Sequence, residues 1–194
     1  MTRRAEIDRE TTEVTINGHL DLDGSGAADI KTGLGFLDHM LTTVARHSRF
    51  DLELVAVGDL GVDDHHTVED CAIVLGRALD QALGERSGIT RFGYAYAPLD
   101  EALTRAVVDL SGRPWPEIAI DFTRDTVGEV ATENIVHFLR SFALEGRMAL
   151  HVDLIRGDND HHKAESAFKA VAMALRAAVS ASGTDVPSTK GTLT

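Results

Sequence analysis

The sequence predicts an α+β fold: two duplicated ββαβα halves whose helices pack on one face of a mostly antiparallel sheet. Three observations carry that expectation. Apolar residues alternate with strand period in some stretches and recur at helical spacing in others. The order strand–strand–helix–strand–helix occurs twice. The pattern His-His-x-x-Glu falls at the same point of both halves, as His65-His66-Thr67-Val68-Glu69 and, 96 residues later, as His161-His162-Lys163-Ala164-Glu165. A shared element string with shared punctuation is the signature of internal duplication.

The elements follow in order. Val14, Ile16, Leu20 and Leu22 alternate, giving a strand over 14–22. Asp23-Gly24-Ser25-Gly26 is a turn signal, and 27–31 reads as a short return strand. Phe36, Leu37, Met40, Leu41, Val44 and Ala45 mark a helix, and 52–57 a strand. A second helix runs over about 65–83, with Val68, Cys71, Ala72, Leu75, Leu79, Ala82 and Leu83 on its apolar face and Gly84 as a stop. The second half repeats this with strands over 102–110, 117–122 and 148–155 and helices over 132–144 and 161–179. The halves span about 10–90 and 91–182, the link holds Arg91–Pro98, and a Ser/Thr/Gly-rich tail follows.

Composition narrows the function classes. The chain has 194 residues, 31 Asp and Glu against 19 Lys and Arg, and a net charge of −12. That balance opposes nucleic-acid binding, which needs a basic face. One Cys allows no internal disulfide and fits a reducing, cytoplasmic setting. No apolar run reaches the ~20 residues of a membrane span. The start, Met1-Thr2-Arg3-Arg4, is basic but leads into no apolar segment, so a signal peptide is not expected. The unusual number is nine His.

On a helix, His at i and Glu at i+4 lie about 40° apart around the axis and one turn apart along it, so they can share one ion. His at i+1 is about 100° away and serves another. Each motif therefore offers a His/Glu pair (His65 with Glu69, His161 with Glu165) and a lone His (His66, His162). The matched His39 and His137 on the halves' first helices bring each of two ions to three His and one Glu. Imidazole with carboxylate and no thiolate suits octahedral Mn or Fe(II), with Zn as the competitor. The order is not His-Glu-x-x-His, so this is not the metalloprotease arrangement. Cations gather on the same face: Lys169 at i+4 from Glu165, His47 at i+8 from His39, then Arg91, Arg113 and the tail Ser188-Thr189-Lys190. Together they suit an anionic small molecule such as a phosphate ester. Cys71 and Trp115 are expected to pack, and His19 and His151 to be background.

These residues carry a resemblance. LDLDGSG (20–26), GFLDHML (35–41), HHTVEDCAIVLGRAL (65–79), RFG (91–93), DLSGRP (109–114), HFLRSFA (137–143), HHKAESAFKAVAMALRAA (161–178) and PSTKG (187–191) resemble the imidazoleglycerol-phosphate dehydratase family over nearly the whole chain. The resemblance implies a ribosomal protein S5 domain 2-like fold and a manganese-dependent lyase of L-histidine biosynthesis. That lyase converts D-erythro-imidazole glycerol phosphate to imidazole acetol phosphate and water. It implies two Mn2+ per active site, one on His39, His66, His161 and Glu165, the other on His65, Glu69, His137 and His162. It also implies a twenty-four-subunit shell with sites between subunits, and a monofunctional chain. Glu13 matches the family's N-terminal Glu, with Glu10 nearby, and is the expected acid–base group; Glu69 and Glu165 are ligands that can shift into that chemistry. Glu13, His39, His47, His65, Glu69 and His161 are expected to meet substrate. Its phosphate is expected on Arg91, Arg113, Lys169, Ser188 and Lys190, the tail ordering as it binds. The implied route has metals stabilising an imidazolate that expels the hydroxyl as water to leave a diazafulvene, whose C2 proton is then acidic. A non-catalytic metal-storage assembly is the alternative; it gives no role to Glu13, Arg113 or the tail.

Overall fold

Each half begins with a strand that its sequence conceals. In the computed structural model, which describes residues 3–191 and 193, the first is β1 (Arg4–Glu10). Met1 and Thr2 of the basic start, and Thr192 and Thr194 of the tail, lie outside the described residues. The chain continues through β2 (Val14–Asp21), β3 (Ala28–Lys31), α1 (Gly35–Ser48), β4 (Asp51–Gly58) and α2 (His65–Leu83). The second half runs β5 (Phe92–Leu99), β6 (Ala102–Asp109), β7 (Trp115–Ala119), the small pair β8 (Thr126–Val127) and β9 (Val130–Ala131), α3 (Thr132–Glu145), β10 (Ala149–Arg156) and α4 (Asp160–Ala178).

The α+β duplication stands, with one strand more per half than the sequence predicts: the repeat is βββαβα. β1 buries only Ala5 and Ile7 among charged neighbours, too thin an alternation to stand out. β5 occupies the expected link. It buries Gly93, Ala95 and Ala97 and turns Phe92, Tyr94 and Tyr96 outward, so its apolar signal points the wrong way.

The strands form two main sheets, one per half, in the orders β1-β2-β4-β3 and β5-β6-β10-β7. Three strands of each are antiparallel, and the last, β3 or β7, runs parallel to its neighbour. The stretch expected as a return strand therefore pairs with β4, not β2. α1 and α2 cover the first sheet, α3 and α4 the second, and α1 packs on α4 and α2 on α3. Four helices thus lie between two sheets. Met40, Leu41, Leu54, Leu79, Phe138, Leu150 and Phe168 fill the interior, each removal from water contributing about 1.5–3 kcal/mol before entropy. Backbones approach closely where side chains vanish: a Cβ on Gly93 would lie 1.9 Å from the Ala174 carbonyl oxygen of α4.

Cys71 is fully buried. Trp115 is not: at 63% exposed it stands on the outer side of β7, so the packing expected of it is absent among the described residues. His19 and His151 are exposed strand residues. No helix among the described residues is long and apolar enough to cross a membrane.

Candidate metal centre

The two His-His motifs stand on helix N-termini that the preceding residues fix. At α4, the Asn159 side chain accepts from the backbone N–H of His161 (2.9 Å) and His162 (3.4 Å), a regular N-cap. Asp160 turns inward, accepts from Thr123 and Arg124 N–H, and pairs with Lys163 Nζ at 2.7 Å. Lys163 also donates to the Asp121 carbonyl. Burial pushes the Asp160 carboxyl up, but the bonds from Lys163, Arg124 and Thr123 outweigh it and hold it at about 2. At α2, Asp63 accepts from His65 N–H at 2.9 Å and Asp64 from Ala131 N–H at 2.8 Å. Of these acids only Asp63 bonds a backbone N–H of its own helix start, Asp64 and Asp160 hold the N–H groups of other segments, and all three stay out of the ligand clusters.

Packing of α1 on α4 brings together His39, His161 and Glu165. Glu165 Oε2 lies 3.1 Å from His39 Nε2 and 3.2 Å from His161 Nε2. Packing of α2 on α3 brings together His65, Glu69 and His137. Glu69 Oε1 is 2.8 Å from His137 Nε2, and Glu69 Oε2 is 3.9 Å from His65 Nε2. In each cluster the three donor atoms lie within 4.8 Å of one another. Each also takes one helix from each half. Two imidazoles and a carboxylate converging on one point fit a divalent Mn, Fe or Zn ion and leave coordination positions open.

His66 and His162 join neither cluster. Side chains 31% and 27% exposed, each is held from behind by a carboxylate. Asp59 lies 3.0 Å from His66 Nδ1, and Glu101 2.7 Å from His162 Nδ1. These partners raise both imidazoles above the usual histidine range. Glu13, in the turn between β1 and β2, has Oε1 3.8 Å from His66 Nε2. Glu10 lies on the exposed side of β1.

Lys169 Nζ lies 2.7 Å from Glu165 Oε1. Burial pushes Glu165 up, but the hydrogen bonds from Lys169 and His39 pull it down to about 2. Burial and then the charge of Lys169 lower His47, which is half-buried at the far end of α1. The other expected phosphate groups gather elsewhere. Arg91, Arg113, Ser188 and Lys190 line a cleft of about 570 Å³ with Phe92 and Leu193. Arg91 is fixed by two bonds to Asp109 and donates to the Pro187 carbonyl at 2.8 Å, tying the tail to the start of β5. Buried Leu193 anchors the same tail, which composition alone marks as disordered. Lys169 does not line this cleft; it belongs to the Glu165 cluster.

Three residues of the site escape sequence reasoning. Glu101 was detectable: it stands immediately before β6 as Glu13 does before β2. Asn134, whose Oδ1 accepts from His65 Nδ1 at 3.0 Å, lies one turn before His137 on the same helix face. Asp59 sits in an acidic loop with no local mark.

A family model described as imidazoleglycerol-phosphate dehydratase matches residues 32–175. Among relatives carrying that name, one from Granulibacter bethesdensis is 54% identical, with all of both chains covered. One from Candida glabrata is 50% identical over 97% of this chain and 99% of its own. One from Phytophthora nicotianae is 57% identical over 98% of this chain, which spans 42% of that longer protein. The fold matches the crystal structure of the dehydratase from Staphylococcus aureus at a TM-score of 0.83 and 38% identity, covering 92% of this chain and all of that one. The Pyrococcus furiosus enzyme matches at 0.83 and 36% identity, over 96% of this chain and 99% of its own. With the two clusters, the duplicated halves and the tail cleft already in place, these likenesses lead to one conclusion: the chain belongs to the imidazoleglycerol-phosphate dehydratase family.

Proposed function

We propose that the chain removes water from D-erythro-imidazole glycerol phosphate to give imidazole acetol phosphate, a lyase step of L-histidine biosynthesis in the cytoplasm, with two Mn2+ per active site. One observation carries the metal reading: each cluster aims two Nε2 atoms and a carboxylate at one point, and a matched imidazole stands outside it. One ion takes His39, His161, Glu165 and a His66; the other takes His65, Glu69, His137 and a His162. Since His66 and His162 lie outside the clusters of their own chain, neighbouring copies supply them. A twenty-four-subunit shell with sites at its interfaces is the proposed assembly.

Bound there, the ions supply Lewis-acid polarisation of the substrate's ring nitrogens. The chain's own residues do the rest. Arg91, Arg113, Ser188 and Lys190 hold the phosphate in the tail cleft, and Lys169 and His47 add polar groups beside Glu165. Glu13 is exposed on its turn, free to reach toward a bound molecule. Glu13 in its acid form gives a proton to the hydroxyl on the carbon beside the ring, which departs as water; the carboxylate so formed then accepts the C2 proton, and the resulting enol tautomerises to the ketone.

The test is chelator-stripped protein given substrate and Mn2+, Fe2+ or Zn2+ in turn. Ketone should form only with metal, most readily with Mn2+. Glu13→Gln should lower turnover by about 100-fold or more while still binding substrate; near-normal turnover removes Glu13 from the proton transfer. Metal binding without any ketone from the unaltered chain favours storage.

A further inference from the structure

Two carboxylates outside the ligand clusters hold the two outlying histidines, and they come from different places in the repeat. Asp59 lies in the connection between β4 and α2, its oxygens 3.0 and 3.1 Å from His66 Nδ1. Glu101 lies in the turn between β5 and β6, with Oε2 2.7 Å from His162 Nδ1. An ionised carboxylate only accepts, so Nδ1 carries the proton in both rings and Nε2 presents its lone pair.

The strand registers show what has changed between the halves. Arg4 faces Asp21 in β1 and β2 as Phe92 faces Asp109 in β5 and β6. Glu13 immediately before β2 is thus the repeat mate of Glu101 immediately before β6. The two do different work. Glu101 stands behind its histidine, fixed by the N–H groups of Asp158 (3.2 Å) and Asn159 (2.8 Å). Glu13 stands at the front, 3.8 Å from His66 Nε2, with Asp59 at the back; in the second half the front place, 3.8 Å from His162 Nε2, falls to Asp100, the residue before Glu101. The connection 59–64 is long enough to carry that extra acid over the helix start. The shorter connection 157–159 instead gives its N–H groups to Glu101.

We propose that Asp59 and Glu101 are positioning residues that fix His66 and His162 as Nε2 ligands, and that Asp59 releases Glu13 from that duty for the reacting centre. This rests on the metal reading above. The experiment uses the full chain and Mn2+ alone, with free Mn2+ read by electron paramagnetic resonance, assembly by light scattering and folding by circular dichroism. Asp59→Ala and Glu101→Ala should each weaken Mn2+ binding about 10–100-fold. Asp59→Asn and Glu101→Gln, whose amide oxygens still accept from Nδ1–H, should recover most of it. Glu13→Ala should leave Mn2+ affinity within about twofold of the unaltered chain, far below the loss expected for an orienting partner. If Glu101→Ala does not fold, because Asp158 and Asn159 lose their acceptor, Asp59→Ala decides. Unchanged affinity in the Ala variants overturns the inference, as does an equal loss in Glu13→Ala. If the unaltered chain binds no Mn2+, the metal reading fails and this inference with it.

Discussion

The two ligand clusters are repeat mates set in different surroundings. Glu165, its side chain 14% exposed, has Lys169 at 2.7 Å and is held at about 2. Glu69, 34% exposed, has no Lys or Arg within ion-pair distance among the described residues: Ser141 lies near His137, Asn134 stands behind His65, and Arg9 acts only from farther off. The contrast continues at the helix starts. α4 is locked by the buried Asp160–Lys163 pair. The matched residues of α2 are Asp64, which accepts one backbone N–H, and Thr67, whose buried Oγ1 has no hydrogen-bond partner among the described residues. Ligand geometry was kept because helical spacing sets it within one turn. The groups around it were free to diverge, because each is supplied by a different packed segment.

The contrast is sharpest at the buried pair. Lys163→Met leaves the buried Asp160 charge without its cation, held only by Thr123 and Arg124, and should lower unfolding stability by about 3–5 kcal/mol in urea titration. Asp64→Asn should cost about 1 kcal/mol; similar losses at the two sites would erase the distinction. The same pair sets a pH dependence. Asp160 titrates at about 2 in the fold against an ordinary 3.8, so its contribution is complete above about pH 4 and lost as pH falls through 2. The size is about 2 kcal/mol. Urea midpoints measured from pH 5 to 2 should fall for the unaltered chain and fall less for Asp160→Asn; parallel curves would deny Asp160 this role.

Smaller effects separate the sheets. Gly93→Ala drives a Cβ into the α4 backbone and should cost about 1–3 kcal/mol by thermal unfolding. Its repeat mate β1 already carries Ala5 there, and Ala5→Gly should cost about 0.5–1 kcal/mol. The smallest shift is expected at Thr67→Val, which removes the unpartnered hydroxyl at nearly equal volume: within about 1 kcal/mol, on the stabilising side. A clear loss would mean that Thr67 Oγ1 has a partner after all.

The helices were legible because their apolar residues recur at helical spacing and their motifs sit at clear N-termini. The helix expected over 132–144 is α3, Thr132–Glu145, and that over 65–83 is α2. β5 was hidden because a close helix demands Gly and Ala on its inner side, leaving the aromatics outside. At the site, the pairs His65/Glu69 and His161/Glu165 could be read from spacing alone. Asp59 could not, because its role depends on where a loop carries it over the start of α2.

The sequence by itself determined the duplication, the helix that carries each ligand, and the pairing of His with Glu one turn along. These are local facts, settled by periodicity within a few residues. Tertiary structure decided that α1 meets α4 and α2 meets α3, so each cluster draws on both halves. It also decided what holds His66 and His162: Asp59 of the loop before α2 for one, and Glu101, 61 residues earlier in the chain, for the other. Such partners are chosen by how sheets and helices stack, and residues far apart in the chain carry no mark of it until the core is packed.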